Sequence, residues 1–167
     1  GGVIYIGSNS GNLDMDNVTL KNDKMLQTSG NGGIVYCGSA SKVTVSNVNF
    51  TDTEISGSSK TGGGMHLGAV SDVVSFTNVI FANTALTGSS TKGGALYIAS
   101  AAKDVTLTNV NFTNAQCKSN GGAICIDTAS GNVKLNNVNF TNVSSNANGG
   151  AVYVGGTMNG FELINSN

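Results

Sequence analysis

Glycine pairs begin at positions 1, 32, 62, 93, 121 and 149, and one asparagine recurs in step with them. That asparagine is Asn17, Asn47, Asn78, Asn109, Asn137 and Asn165, at successive spacings of 30, 31, 31, 28 and 28. A chain of 167 residues is therefore six copies of one unit, the last cut short. Self-similarity at such a period points to an array of stacked supersecondary units.

Each copy holds three short segments of period-2 alternation. After the glycines come "VIYI", "IVYC", "GMHL", "ALYI", "AICI" and "AVYV". They give two apolar columns, Ile4, Val35, Met65, Leu96, Ile124, Val152 and Ile6, Cys37, Leu67, Ile98, Ile126, Val154. The second segment gives columns headed by Leu13 and Met15. The third gives Val18, Val48, Val79, Val110, Val138 and Leu20, Phe50, Phe81, Phe112, Phe140. Strict alternation marks strands with one buried face. No helical period appears. Strands of this kind bury their inner faces when identical coils stack, each strand pairing in parallel with its copy above. The expected fold is all-β: a parallel β-solenoid of about six coils of 28–31 residues. Six coils at strand spacing make a rod ~29 Å long.

The recurrent asparagine sits where inward alternation breaks and restarts. Asparagine tolerates the left-handed conformation, so it can turn the chain there. Stacked copies can bond side chain to side chain as a ladder. A second polar column, Asn22, Asp52, Asn83, Asn114, Asn142, predicts another corner. Length varies only in the loops, where Met25, Ile55, Leu86 and Cys117 share one position that predicts packing against the core.

The glycine-led "GGAIY"-type starts and the Phe-Thr-Asn segments resemble the right-handed parallel β-helix of the pectin-lyase-like superfamily. Within it they look like the repeats of polymorphic outer-membrane proteins and related adhesins. The resemblance covers the whole chain. It implies right-handed coils and an extracellular or cell-surface location.

Charged residues are only 10%, net charge is −1, and all eight basic residues are Lys. Nothing there gathers a phosphate backbone, so no nucleic-acid partner is expected. No apolar run reaches the ~18 residues of a membrane helix. Neither end reads as a cap, so the expectation is a segment of a longer solenoid, or one stacking end to end with further copies.

Solenoid enzymes of the resembled superfamily act on polysaccharides with paired carboxylates or a base near calcium. The outward column of the first segment is Tyr5, Tyr36, His66, Tyr97, Cys125, Tyr153. Its flank is read as outward too: Val3, Ile34, Gly64, Ala95, Ala123, Ala151. No carboxylate occurs among them, so catalysis, cofactor and metal are not expected. Asp72, Asp104 and Asp127 follow the first segment in coils three to five and read as turn formers before weak cation ligands. His66 reads as an exposed aromatic substitute. The aromatic column, with Tyr5, Tyr36, His66, Tyr97 and Tyr153, is the candidate surface for stacking on sugar rings or on a neighbouring rod. Thr44 and Ser46, Ser75 and Thr77, Thr106 and Thr108 form a hydroxyl array of the kind seen on ice-binding solenoids, broken by Asp14, Asp16, Lys134 and Asn136.

Glycosylation sequons occur at Asn17, Asn49, Asn111, Asn139 and Asn142. Asn49, Asn111 and Asn139 point outward between buried residues and are the candidate acceptors; Asn17 and Asn142 fall in the ladders. Of three cysteines, Cys37 reads as a small core hydrophobe. Whether Cys117 and Cys125 pair is open. The function read from all this is a non-enzymatic extracellular rod, a component of a surface protein, fibre or appendage. A carbohydrate-binding or carbohydrate-processing helix using the tyrosine face is the alternative, with ice binding behind it.

Overall fold

The computed structural model describes residues 2–26, 31–89 and 91–167. Coil one holds β1 (Ile4–Ile6), β2 (Leu13–Lys21) and β3 (Lys24–Leu26). Coil two holds β4 (Val35–Ala40) and β5 (Val43–Ser56), and coil three β6 (Met65–Val70) and β7 (Val74–Leu86). Coil four holds β8 (Leu96–Ala101), β9 (Val105–Thr113) and β10 (Gln116–Cys117). Coil five holds β11 (Ile124–Ala129), β12 (Asn132–Thr141) and β13 (Ser144–Ser145). Coil six stops after β14 (Val152–Val154) and β15 (Gly160–Ile164).

Every strand pairing is parallel and joins like to like. β1, β4, β6, β8, β11 and β14 form one six-stranded sheet in that order. Its register sets Val35 on Met65 and Met65 on Leu96. The second sheet stacks Val48, Val79, Val110 and Val138, and beside them Phe50, Phe81, Phe112 and Phe140. The chain is thus a parallel β-solenoid of about five full turns with a sixth begun.

The predicted columns form one continuous core. Val35, Val43, Val45, Phe50, Leu67, Phe76, Phe81, Ile98, Leu107, Phe112 and Ile126 are all buried. The Phe rings stack at 4.8, 5.0 and 5.3 Å, nearly parallel. Phe161 and Leu163 occupy the same columns but stay half-exposed, because coil six has a coil on one side only. Met25, Ile55, Leu86 and Cys117 join the core, as their shared loop position predicts. Cys37 is buried as a small hydrophobe.

Three sequence readings change. The second and third segments are one strand, not two. The hydrogen-bonded register of β5, β7, β9 and β12 runs across Asn47, Asn78, Asn109 and Asn137. Each of these asparagines has a φ of 53–55°, so one left-handed residue bends the strand without ending it. The second column is also a corner: Asn22, Asp52, Asn83, Asn114 and Asn142 all have left-handed φ, from 52° to 59°.

In coils two to five the flank of the first segment points inward, while Val3 of coil one is exposed. Ile34, Ala95 and Ala123 are fully buried. The glycines before them turn the chain, so strand alternation starts only one residue later. Gly64 lies in the same column, where a Cβ would stand 2.8 Å from the Phe81 ring. Coil three therefore needs a third glycine at that point. The last change, in the aromatic column, belongs to the site.

Candidate functional site

The aromatic column lies on the outer side of the six-stranded sheet, in register from Tyr5 to Tyr153. Tyr5, Tyr36 and His66 stack in turn, and Tyr97 meets His66 at a tilt. Tyr5 and Tyr36 lie 4.9 Å apart, Tyr36 and His66 4.6 Å, and His66 and Tyr97 4.9 Å. Tyr5 is 68% exposed, but His66, Tyr97 and Cys125 are buried. His66 is therefore not the exposed aromatic substitute that the alternation suggests.

The cover comes from residues just before each glycine pair. Asn31 Nδ2 donates to the Tyr36 hydroxyl at 3.0 Å. Thr61 Oγ1 and His66 Nδ1 share a hydrogen bond of 2.6 Å. Lys92 reaches past Tyr97 to the next coil, where both Asp127 carboxylate oxygens lie 3.0 Å from its Nζ. In coils two to four the covering residue stands five before the ring. That spacing was readable in the sequence once the glycine corner was known to fold back.

The densest polar cluster in this column is Lys92, Tyr97, Cys125 and Asp127. The Tyr97 hydroxyl donates to Asp127 Oδ2 at 2.6 Å, and the Cys125 thiol to Oδ1 at 3.5 Å. Burial works against the Asp127 charge, but the Tyr97 and Lys92 hydrogen bonds hold its carboxyl below the usual range. The Asp127 hydrogen bond raises Lys92. Burial, then Asp127, raises Tyr97, and burial raises Cys125 above the ordinary thiol range. The cluster is a settled ion pair with two neutral donors. A thiol this buried and this protonated is a poor nucleophile. His66 is pushed down to about 4, chiefly by burial.

The loop aspartates tie coils together. Asp72 pairs with Lys103 of the next coil at 2.9 Å. Asp104 accepts from the Asn132 backbone at 2.8 Å and Asp127 accepts from Lys92. No group of three or more His, Cys, Asp or Glu able to hold a metal occurs among the described residues. Cys37, Cys117 and Cys125 are free thiols, so Cys117 and Cys125 do not pair here. No helix among the described residues is long and apolar enough to cross a membrane.

The asparagine corners carry two axial ladders. Asn137 donates to Asn109, Asn109 to Asn78 and Asn78 to Asn47, at 2.8, 3.0 and 3.2 Å. Asn47 then donates to Asp16 at 2.9 Å, so the ladder passes beside Asn17. Asn165 holds the left-handed corner of coil six, with a φ of 49°. The second ladder runs Asn142 to Asn114 to Asn83 and ends on Asp52. Both ladders end on a carboxylate, a group that only accepts, which sets every amide above it in one orientation.

Asn49 and Asn139 are half-buried and Asn111 is exposed, all on the outer face. Asn139 Nδ2 donates to Asn111 Oδ1 at 2.9 Å. The hydroxyl rows stand in register on that face, Thr44 on Ser75 on Thr106 and Ser46 on Thr77 on Thr108. Asp16 takes up the Ser46 hydroxyl at 2.6 Å.

Comparison with known proteins finds no matching family, no matching curated protein and no matching solved structure.

Proposed function

We propose that the chain is a structural rod: a right-handed, adhesin-type β-solenoid segment of an extracellular or cell-surface protein, fibre or appendage, acting by reach, end-to-end assembly or adhesion. The observation that carries this reading is the direction of the polar contacts. The asparagine ladders and the ion pairs Lys24–Glu54, Lys92–Asp127, Lys103–Asp72 and Lys134–Glu162 run between neighbouring coils, along the rod. They hold the stack together and do not converge on a shared cleft. Because like stacks on like, further copies or flanking coils carrying the same columns are the expected partners.

The carbohydrate reading stands second. A sugar ring needs a free aromatic face; Tyr36 is stacked between Tyr5 and His66, and His66 and Tyr97 are buried. Tyr5, stacked on one face only, and Tyr153 remain for glycans. Glycan-array binding lost in a Tyr5→Ala, Tyr153→Ala double variant would move the reading there. Electron microscopy of native material tests the rod: continuous filaments support it, and isolated particles with closed ends oppose it.

A further inference from the structure

We infer that the outer face of the second sheet is an acceptor surface for N-linked oligosaccharide, carried at Asn49 and Asn111, with Asn139 left bare wherever Asn111 is modified. The inference rests on the reading that the chain is exported.

The three sequons read Asn-Phe-Thr, at Asn49, Asn111 and Asn139. In the strand the threonine two residues on shares the face of its asparagine, and the phenylalanine between them points into the core. Val48, Phe50, Val110 and Phe112 are all fully buried, so a sugar on Asn49 or Asn111 projects outward and displaces nothing from the core.

The column reads Thr19, Asn49, Ile80, Asn111, Asn139 in register. Asn49 and Asn111 stand two coils apart, roughly 10 Å. Between them lies Ile80, 39% exposed, an apolar contact for the first sugars. Asn111 and Asn139 stand one coil apart, ~4.8 Å, narrower than two sugars side by side. The Asn139 amide already donates to Asn111 Oδ1, whereas Asn111 offers that bond only its oxygen and keeps Nδ2 for attachment. Asn142 Nδ2 is held in its ladder, and Asn17 turns a left-handed corner.

The transfer would form a bond from asparagine Nδ2 to the anomeric carbon of a polyprenyl-diphosphate-linked oligosaccharide. The sugar–phosphate bond breaks, the polyprenyl diphosphate leaves, and the amide proton passes to the transferase's base.

The test is secretion of the chain from a eukaryotic host behind that host's leader, followed by enzymatic glycan release in heavy-oxygen water and peptide mapping. The label should appear at Asn49 and Asn111 and be absent from Asn139. An unlabelled Asn111, or Asn111 and Asn139 labelled on one folded molecule, overturns the inference. Export is imposed by the host leader, so this failure is distinct from failure of the rod reading.

Discussion

Replacing Asn78 tests how the corners hold the stack. Its φ is 55°, and its side chain gives one hydrogen bond to Asn47 and takes one from Asn109. In Asn78→Ala both bonds go, and the alanine must still enter the left-handed region. That conformation costs about 1–2 kcal/mol. Two solvent-exposed bonds add about 0.5 kcal/mol each, the low end for hydrogen bonds. The expected loss is about 2–3 kcal/mol. In Asn78→Gly the same bonds go but the backbone is unstrained, and the flexible residue costs about 0.5–1 kcal/mol. The glycine variant should therefore be the more stable of the two by about 0.5–1 kcal/mol. Urea unfolding followed by circular dichroism, with equal slopes required for comparison, reads the difference. Equal stability, or a glycine variant weaker than alanine, would refute the left-handed corner as the source of the cost.

Other outcomes follow from the same structure. Phe81→Ala removes the middle ring of the core stack and should lose about 3–5 kcal/mol in the same assay; a loss under about 1 kcal/mol would mean the stack is not a shared core. His66 titrates at about 4 in the fold against 6.5 outside it. Its folded value is depressed, so its contribution is complete above pH 6.5 and declines as pH falls through 4. About 3 kcal/mol is lost across that window, and a His66→Gln variant with an unchanged acid-unfolding profile would contradict this. Thr84 Oγ1 is buried and reaches no hydrogen-bond partner among the described residues. Thr84→Val should then keep or raise the melting temperature; a clear fall would reveal a partner for that hydroxyl.

Much of the fold was legible because stacking repeats one environment six times. Each inward position speaks through a column, so Val48, Val79, Val110 and Val138 announce themselves together. The asparagine corners were legible for the same reason, since few other residues accept a positive φ. The missed features depend on single coils or on chain direction at a corner. Ile34 and Ala95 look like the outward half of an alternation, but the glycine turn before them points them inward. His66 and Tyr97 do lie on the outer side. Their cover comes from Thr61 and Lys92, five residues upstream, a position whose spacing repeats but whose residue changes from coil to coil, so no column announces it. The Lys92–Asp127 pair likewise occurs once, between coils four and five.

The central claim is that coils stack on coils to make a rod that works by its length. Electron microscopy and fibre diffraction of native, unrefolded material test it most directly. The account predicts long rods with a ~4.8 Å repeat along their axis. Isolated particles with closed ends would contradict it, and would turn attention to Tyr5 and Tyr153 as a glycan-binding face.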